Sequence, residues 1–161
     1  MKIFCLTLLF IPFAFCALGA TPRTSGVTEI TLERTPCFGT CPVYKVTLQN
    51  DGTVIFEGKE YVKEAGRRSG KISAKQFQQL VAKVEQIGFF TLNDEYLTKK
   101  NADGSETRIT DMPSRITTVK RGQESKRVRN YFGGPDSLKE LEELIDKISN
   151  SARWVKGKTS P

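Results

Sequence analysis

The stretch that most constrains this chain is a hairpin written in plain alternation. Tyr44, Val46 and Leu48 alternate with Lys45, Thr47 and Gln49; the turn Asn50-Asp51-Gly52 follows, and Val54 and Phe56 resume the pattern on either side of Ile55. Period-two apolar residues flanking an Asn/Asp-Gly turn specify two neighbouring antiparallel strands with one buried face. Residues 27–33 repeat the pattern, with Thr28, Ile30 and Leu32 set against Glu29, Thr31 and Glu33, so a third strand precedes the hairpin. A short fourth strand is expected over residues 61–64. The polar stretch 66–70 then closes the first half of the domain.

The period changes at Ser73. Gln76 stands three residues later as a capping-box partner, and Phe77, Leu80, Val81, Val84 and Ile87 fall on one helical stripe that Gly88 terminates. A polar loop runs through Asn101 and Ser105. Residues 115–121 and 125–132 read as a second hairpin about Gly122 and Gln123. Gly133, Gly134 and Pro135 introduce a last helix whose apolar face is Leu138, Leu141, Leu144, Ile145 and Ile148, with Lys and Glu filling the rest. Beyond Ser149 the chain is expected to fray, except around Trp154. The order β-β-β-(β)-α-β-β-α points to a two-layer α+β domain, an antiparallel sheet with both helices packed on one face.

The start of the chain reads as a leader. Lys2 precedes an apolar run over residues 3–15, and the small residues Ala17, Gly19 and Ala20 follow, which is the layout of a secretory signal cleaved after residue 19 or 20. The expected organisation is a signal peptide over 1–19, a short flexible segment over 20–27, one domain over 28–156 and a disordered tail over 157–161. Export to the periplasm or the medium follows, with no segment left in the membrane after cleavage. Cleavage removes Cys5 and Cys16 and leaves Cys37 and Cys41 alone in an oxidising compartment, where a disulfide between them is expected.

That pair sits in Pro36-Cys37-Phe38-Gly39-Thr40-Cys41-Pro42, where flanking prolines and an internal glycine favour a tight loop. Thioredoxin-like centres place two residues between their cysteines at a helix N-terminus. Here there are three in a proline-bounded loop, which favours a structural bridge over a redox-active one.

The chain contains no His among 161 residues. Its absence excludes Ser-His-Asp and Cys-His nucleophile chemistry and His-ligated zinc, and two thiolates alone do not make a metal site. No cofactor is expected. Carboxylate pairs such as Asp94, Glu95 and Asp111 can be nominated for hydrolysis, yet sequence spacing does not set the separation that chemistry requires. Asp111 in Asp111-Met112-Pro113-Ser114-Arg115 reads more simply as a turn residue.

The formal net charge is +7. Basic residues gather at Arg67, Arg68 and Lys71, at Lys99 and Lys100, and at Lys120, Arg121, Lys126, Arg127 and Arg129 on the second hairpin. A charged sheet edge that resists aggregation explains them, and an anionic envelope polymer or acidic protein is the functional alternative. No nucleic-acid motif is present, and Tyr131 and Phe132 read as core and edge residues rather than a stacking platform.

Residues 30–44, Ile-Thr-Leu-Glu-Arg-Thr-Pro-Cys-Phe-Gly-Thr-Cys-Pro-Val-Tyr, strongly resemble the opening of a bacterial family, domain of unknown function 6438. The likeness continues through Asp51-Gly52-Thr53-Val54, Gly58, Gly70-Lys71-Ile72-Ser73, Phe89-Phe90, Asp94-Glu95-Tyr96, Thr110-Asp111-Met112-Pro113 and Gly134-Pro135. Leu138, Leu141, Glu142, Ile145, Asp146 and Trp154-Val155 extend it, so that it covers roughly residues 28–156. Asn130 and Gly133 depart from it, standing where Asp or His and Ala are common. The resemblance implies an exported domain, sometimes found beside repeat modules such as ankyrins, and supplies no catalytic residue or ligand.

Together these features predict a non-enzymatic, disulfide-pinned binding module of the cell envelope. Cys37 and Cys41 form its bridge, and Phe38, Tyr44, Asp111 and Arg115 are its candidate contacts, brought together at one end of the sheet. The alternatives are a small carboxylate-dependent hydrolase or lyase acting on envelope glycans and, behind it, a thiol-disulfide protein.

Overall fold

The computed structural model describes residues 26–156. The expected leader, most of the segment 20–27 and the tail 157–161 lie outside the described residues. Strands β1 (Val27–Arg34), β2 (Val43–Gln49), β3 (Thr53–Glu60) and β4 (Gly66–Lys71) precede helix α1 (Ala74–Gln86). The short strands β5 (Glu95–Tyr96), β6 (Lys99–Lys100) and β7 (Glu106–Thr107) follow, then the hairpin β8 (Arg115–Arg121) and β9 (Glu124–Asn130), helix α2 (Asp136–Ser149) and the short helix α3 (Ala152–Val155).

Seven strands form one sheet in the order β4-β3-β2-β1-β8-β9-β5, while β6 and β7 pair separately. Neighbours in the main sheet run antiparallel except β5, which lies parallel to β9. The fold is therefore α+β, a large and predominantly antiparallel sheet with two main helices. The alternation read from the sequence sets its faces: Ile30, Leu32, Val46, Leu48, Val54, Phe56, Val119 and Val128 are buried in one core with Phe77, Leu80 and Val84 of α1 and Leu138, Leu141 and Ile145 of α2. The opposite face carries Glu29, Glu33, Lys45, Glu57 and Lys120, and between them Thr31 and Thr47 are buried and share a hydrogen bond at 3.4 Å.

The hairpin turn and the first helix form as their residues dictate. Gly52 takes φ +81°, and the Asp51 carboxylate accepts from the Thr53 N–H at 2.7 Å. The Ser73 hydroxyl accepts from the Gln76 N–H at 3.3 Å, and the Gln76 side chain accepts from the Ser73 N–H at 2.9 Å, which completes the capping box.

Two expectations are corrected and one is extended. Residues 61–64 are not a strand, because Tyr61 adopts φ +51° and the chain turns there. Gly58 makes the turn possible, since a Cβ on it would lie 2.3 Å from the Glu64 carbonyl oxygen. The fourth strand is instead β4, in the stretch expected to be loop; it is held to β3 through its backbone and buries almost no side chain, so it carried no hydrophobic signature. Second, the polar loop through Asn101 and Ser105 is a loop as expected, but it joins two short strands not read from the sequence, β6 and β7, which pair with each other on either side of it. Third, the chain after Ser149 stays ordered through residue 156: Trp154 is buried against Phe56 with ring centroids 5.0 Å apart, and the Lys63 and Glu64 N–H groups donate to the Val155 and Trp154 carbonyls.

Candidate functional site

At one end of the sheet the apolar face gives way to a polar row. Register places Tyr44, Arg34, Arg115 and Asn130 side by side on β2, β1, β8 and β9. Each ends the inward-facing set of its strand, and together they meet two carboxylates one turn apart on α2, Glu142 and Asp146.

Asp146 gathers four donors. Its Oδ2 accepts from Nε of Arg34 at 3.1 Å and from Nη2 of the same guanidinium, while its Oδ1 accepts from the Tyr44 hydroxyl at 2.8 Å and the Ser151 hydroxyl at 2.7 Å. Burial alone would lower the Arg34 guanidinium, but Asp146 and Tyr44 outweigh it and hold the group above its ordinary range. Burial, with the Asp146 charge acting in the same direction, pushes the Tyr44 phenol up to about 12. Both groups keep their protons at neutral pH and donate to the carboxylate.

Glu142 is fully enclosed. It accepts from Nη1 of Arg115 at 3.1 Å and from the Asn130 amide at 3.1 and 3.2 Å. Burial raises its carboxyl above the usual carboxylate range, although Asn130 and Arg115 pull the other way.

Two cavities flank this row and share Arg34 and Pro113. The first, about 440 Å³, lies between Cys41, Pro42 and Pro113 on one side and Lys147, Ala152 and Val155 on the other, with Arg34, Tyr44, Asp146 and Ser151 among its lining. The second, about 530 Å³, is bounded by Arg115, Asn130, Phe132, Pro135, Lys99 and Lys139. Both fall within the volumes typical of small-ligand sites. Glu142 lines neither.

The cysteine loop forms the outer wall. Cys37 and Cys41 are joined in a disulfide with Cα atoms 5.8 Å apart. The Phe38 N–H donates to the Asp111 carbonyl at 3.3 Å, the Thr35 N–H to the Ser114 carbonyl at 3.1 Å, and the Ser114 N–H to the Thr35 hydroxyl at 2.8 Å. The loop and the 111–115 segment therefore meet at one end of the sheet. Phe38 itself is 89% exposed, and Met112, next in sequence to the Asp111 whose carbonyl accepts from the Phe38 N–H, is 42% exposed.

The candidates named from sequence divide accordingly. Tyr44 and Arg115 belong to the polar row, and Phe38 and Asp111 to the outer wall. Asp111 is exposed in a left-handed conformation, φ +70°, where its carbonyl accepts from the Phe38 N–H and its carboxylate from the Thr110 hydroxyl. Asp94 and Glu95 lie on the surface beside Lys126 and Arg129 and do not converge with Asp111 on a cleft. Most of the second hairpin's cations are paired, Lys120 with Glu29 and Arg121 with Glu124 among them, so that cluster is a solvated surface and not a free basic patch. Sequence reasoning passed over Arg34, Glu142, Asp146 and Ser151 as site residues. The available signal was positional: Glu142 interrupts the stripe of Leu138, Leu141 and Ile145, and Arg34 extends the inward set of Ile30 and Leu32.

The cysteine loop, both hairpins and α2 fall within a single family match: the model for the domain of unknown function DUF6438 covers residues 28–149. The chain belongs to this family. No curated protein matches it. The DUF6438 match takes in Arg34, Tyr44, Arg115, Asn130, Glu142 and Asp146, while Ser151 and the α3 residues at the first cavity, Ala152 and Val155, lie beyond it. No described helix is long and apolar enough to cross a membrane.

Proposed function

We propose that this protein is a non-enzymatic binding module of the cell envelope, exported by its leader and engaging its partner through the disulfide-pinned loop. The observation that carries this reading is Phe38, a large aromatic side chain 89% exposed on a loop held at both ends. An aromatic ring kept in water by a disulfide and a backbone hydrogen bond costs little further ordering on binding, which favours an anchor at an interface. Met112 is a second exposed apolar side chain, on the segment to which the loop is hydrogen-bonded.

The test is a pull-down of the oxidised protein from envelope and secreted fractions of its own host, with a Phe38→Ser variant alongside. A partner held by the wild type and lost by the variant supports the reading. Identical captures by both forms, or none by either, overturn it.

A second reading, a carboxylate-dependent hydrolase or lyase acting on envelope glycans, is favoured by Glu142, whose carboxyl is raised one turn from Asp146. It stands behind the first because Glu142 lines neither cavity and both its oxygens are already hydrogen-bonded. Glycan turnover by the wild type that disappears in Glu142→Gln and in Asp146→Asn, with both variants folded, would promote it.

A further inference from the structure

The first cavity and its rim differ in chemistry. Its walls are Pro42, Pro113, Ala152, Val155 and the disulfide at Cys41, and its rim carries Lys147 and Lys156. Both lysines are exposed, and neither has a carboxylate partner among the described residues. Inside, Asp146 is already paired with Arg34, so the two ammonium groups give the residues lining the cavity a net positive charge. Tyr44 and Ser151 donate their hydroxyl protons to Asp146, and their oxygens remain as acceptors for an incoming N–H.

From this combination we infer that the cavity receives an extended polypeptide segment of the partner in which an acidic residue stands beside an apolar one. The apolar side chain fills the space against Pro42, Pro113 and Val155, the carboxylate meets Lys147 and Lys156, and the backbone can donate to the two hydroxyl oxygens. A partner chain lying here continues past Pro113 toward Met112 and Phe38, which makes the cavity the specificity pocket beside the exposed aromatic anchor. Charge complementarity selects this occupant over a cationic or neutral apolar segment. The polar interior favours a backbone with N–H donors over an acyl chain, which has none. The inference rests on the binding reading above and adds the chemistry of what is bound.

The test pans a phage-displayed library of random dodecapeptides against the immobilised oxidised protein and against a Lys147→Glu/Lys156→Glu variant. Both substitutions are on exposed side chains, and circular dichroism checks that the variant folds. The inference expects enriched peptides that place Asp or Glu next to Leu, Ile, Val, Phe or Met. It also expects their affinity to fall by about tenfold or more in the variant, equivalent to about 1.4 kcal/mol. Enriched peptides without acids, affinity unchanged by charge reversal, or no enrichment over the blank support would each overturn it. Co-sedimentation with vesicles of phosphatidylglycerol and phosphatidylcholine, lost in the variant while no peptide is enriched, would assign the cavity to lipid instead and also overturn it. The outcome separates from that of the broader reading. If the envelope partner is lost with Phe38→Ser but kept with Lys147→Glu/Lys156→Glu, the loop remains the binding element and the cavity does not take part.

Discussion

Helix α2 covers two unlike surfaces of the same sheet. One stripe, Leu138, Leu141 and Ile145, meets the apolar middle, where contact is non-directional and any side chain of the right volume would serve. The adjoining stripe, Glu142 and Asp146, meets the polar row at the sheet's end, where every contact is a directed hydrogen bond. A helical turn rises about 5.4 Å and neighbouring strands lie about 4.8 Å apart, so a helix crossing strands meets a new one at nearly every turn. Glu142 accordingly reaches β8 and β9, and Asp146 reaches β1 and β2. The apolar stripe supplies adhesion, and the polar stripe supplies register: sliding the helix along its axis would strip the partners from one buried and one partly buried carboxylate.

The largest expected effect is on the apolar stripe. Leu141→Ala opens a cavity at a fully buried position and is expected to cost about 3 kcal/mol in urea denaturation. A cost below about 1 kcal/mol would mean that the helix is not held by that stripe.

At the polar end, Arg115→Met leaves Glu142 enclosed with only Asn130 and is expected to cost nearly as much, about 2 to 3 kcal/mol after allowing for the partly exposed guanidinium. Adding Glu142→Leu is expected to recover more than half of the loss. If the two changes add instead, the pair is not coupled and the contrast between the stripes fails.

The outer wall should matter less to folding than either stripe. Cys37→Ser/Cys41→Ser releases a loop of few residues and is expected to cost about 2 kcal/mol or less by loop-closure entropy. Phe38→Ser should leave the midpoint within about 0.5 kcal/mol of wild type, because the ring is already in water.

The smallest effect is a slope. Burial raises the Glu142 carboxyl in the folded chain above its unfolded value, so the proton is bound more tightly when folded. Its contribution to stability is full below the unfolded value of about 4.3 and is lost as pH rises through the raised folded value. Wild type should therefore gain stability relative to Glu142→Gln as the pH falls from about 7 toward about 4.5. A gap that stays constant, or moves the other way, would mean that Glu142 is ionised without penalty.

Much of the scaffold was legible because it follows local rules. The hairpin around Asn50-Asp51-Gly52, the capping box at Ser73 and the stripes of both helices are written within a few residues of one another, and each formed where it was read. β4 was not legible, because an exposed edge strand held through its backbone needs no apolar alternation. The meeting of the 37–44 loop with the 111–115 segment could be suspected from sequence, since both interrupt strand entries with prolines. The polar row could not. Arg34 and Asp146 lie 112 residues apart, and only the register of four strands against one helix shows that they share a hydrogen bond.

Trp154 has a practical consequence. It is the chain's one tryptophan, stacked on Phe56 in the core, capped by the Arg153 guanidinium 3.8 Å from its ring centroid, next in sequence to the cavity-lining Val155 and two residues from Ala152. The molecule thus carries its own fluorophore at the seam between core and cavity. Red-shifted emission on denaturation would follow unfolding, and a smaller intensity change on adding ligand to the folded protein would follow occupancy of the neighbouring cavity, without any label attached.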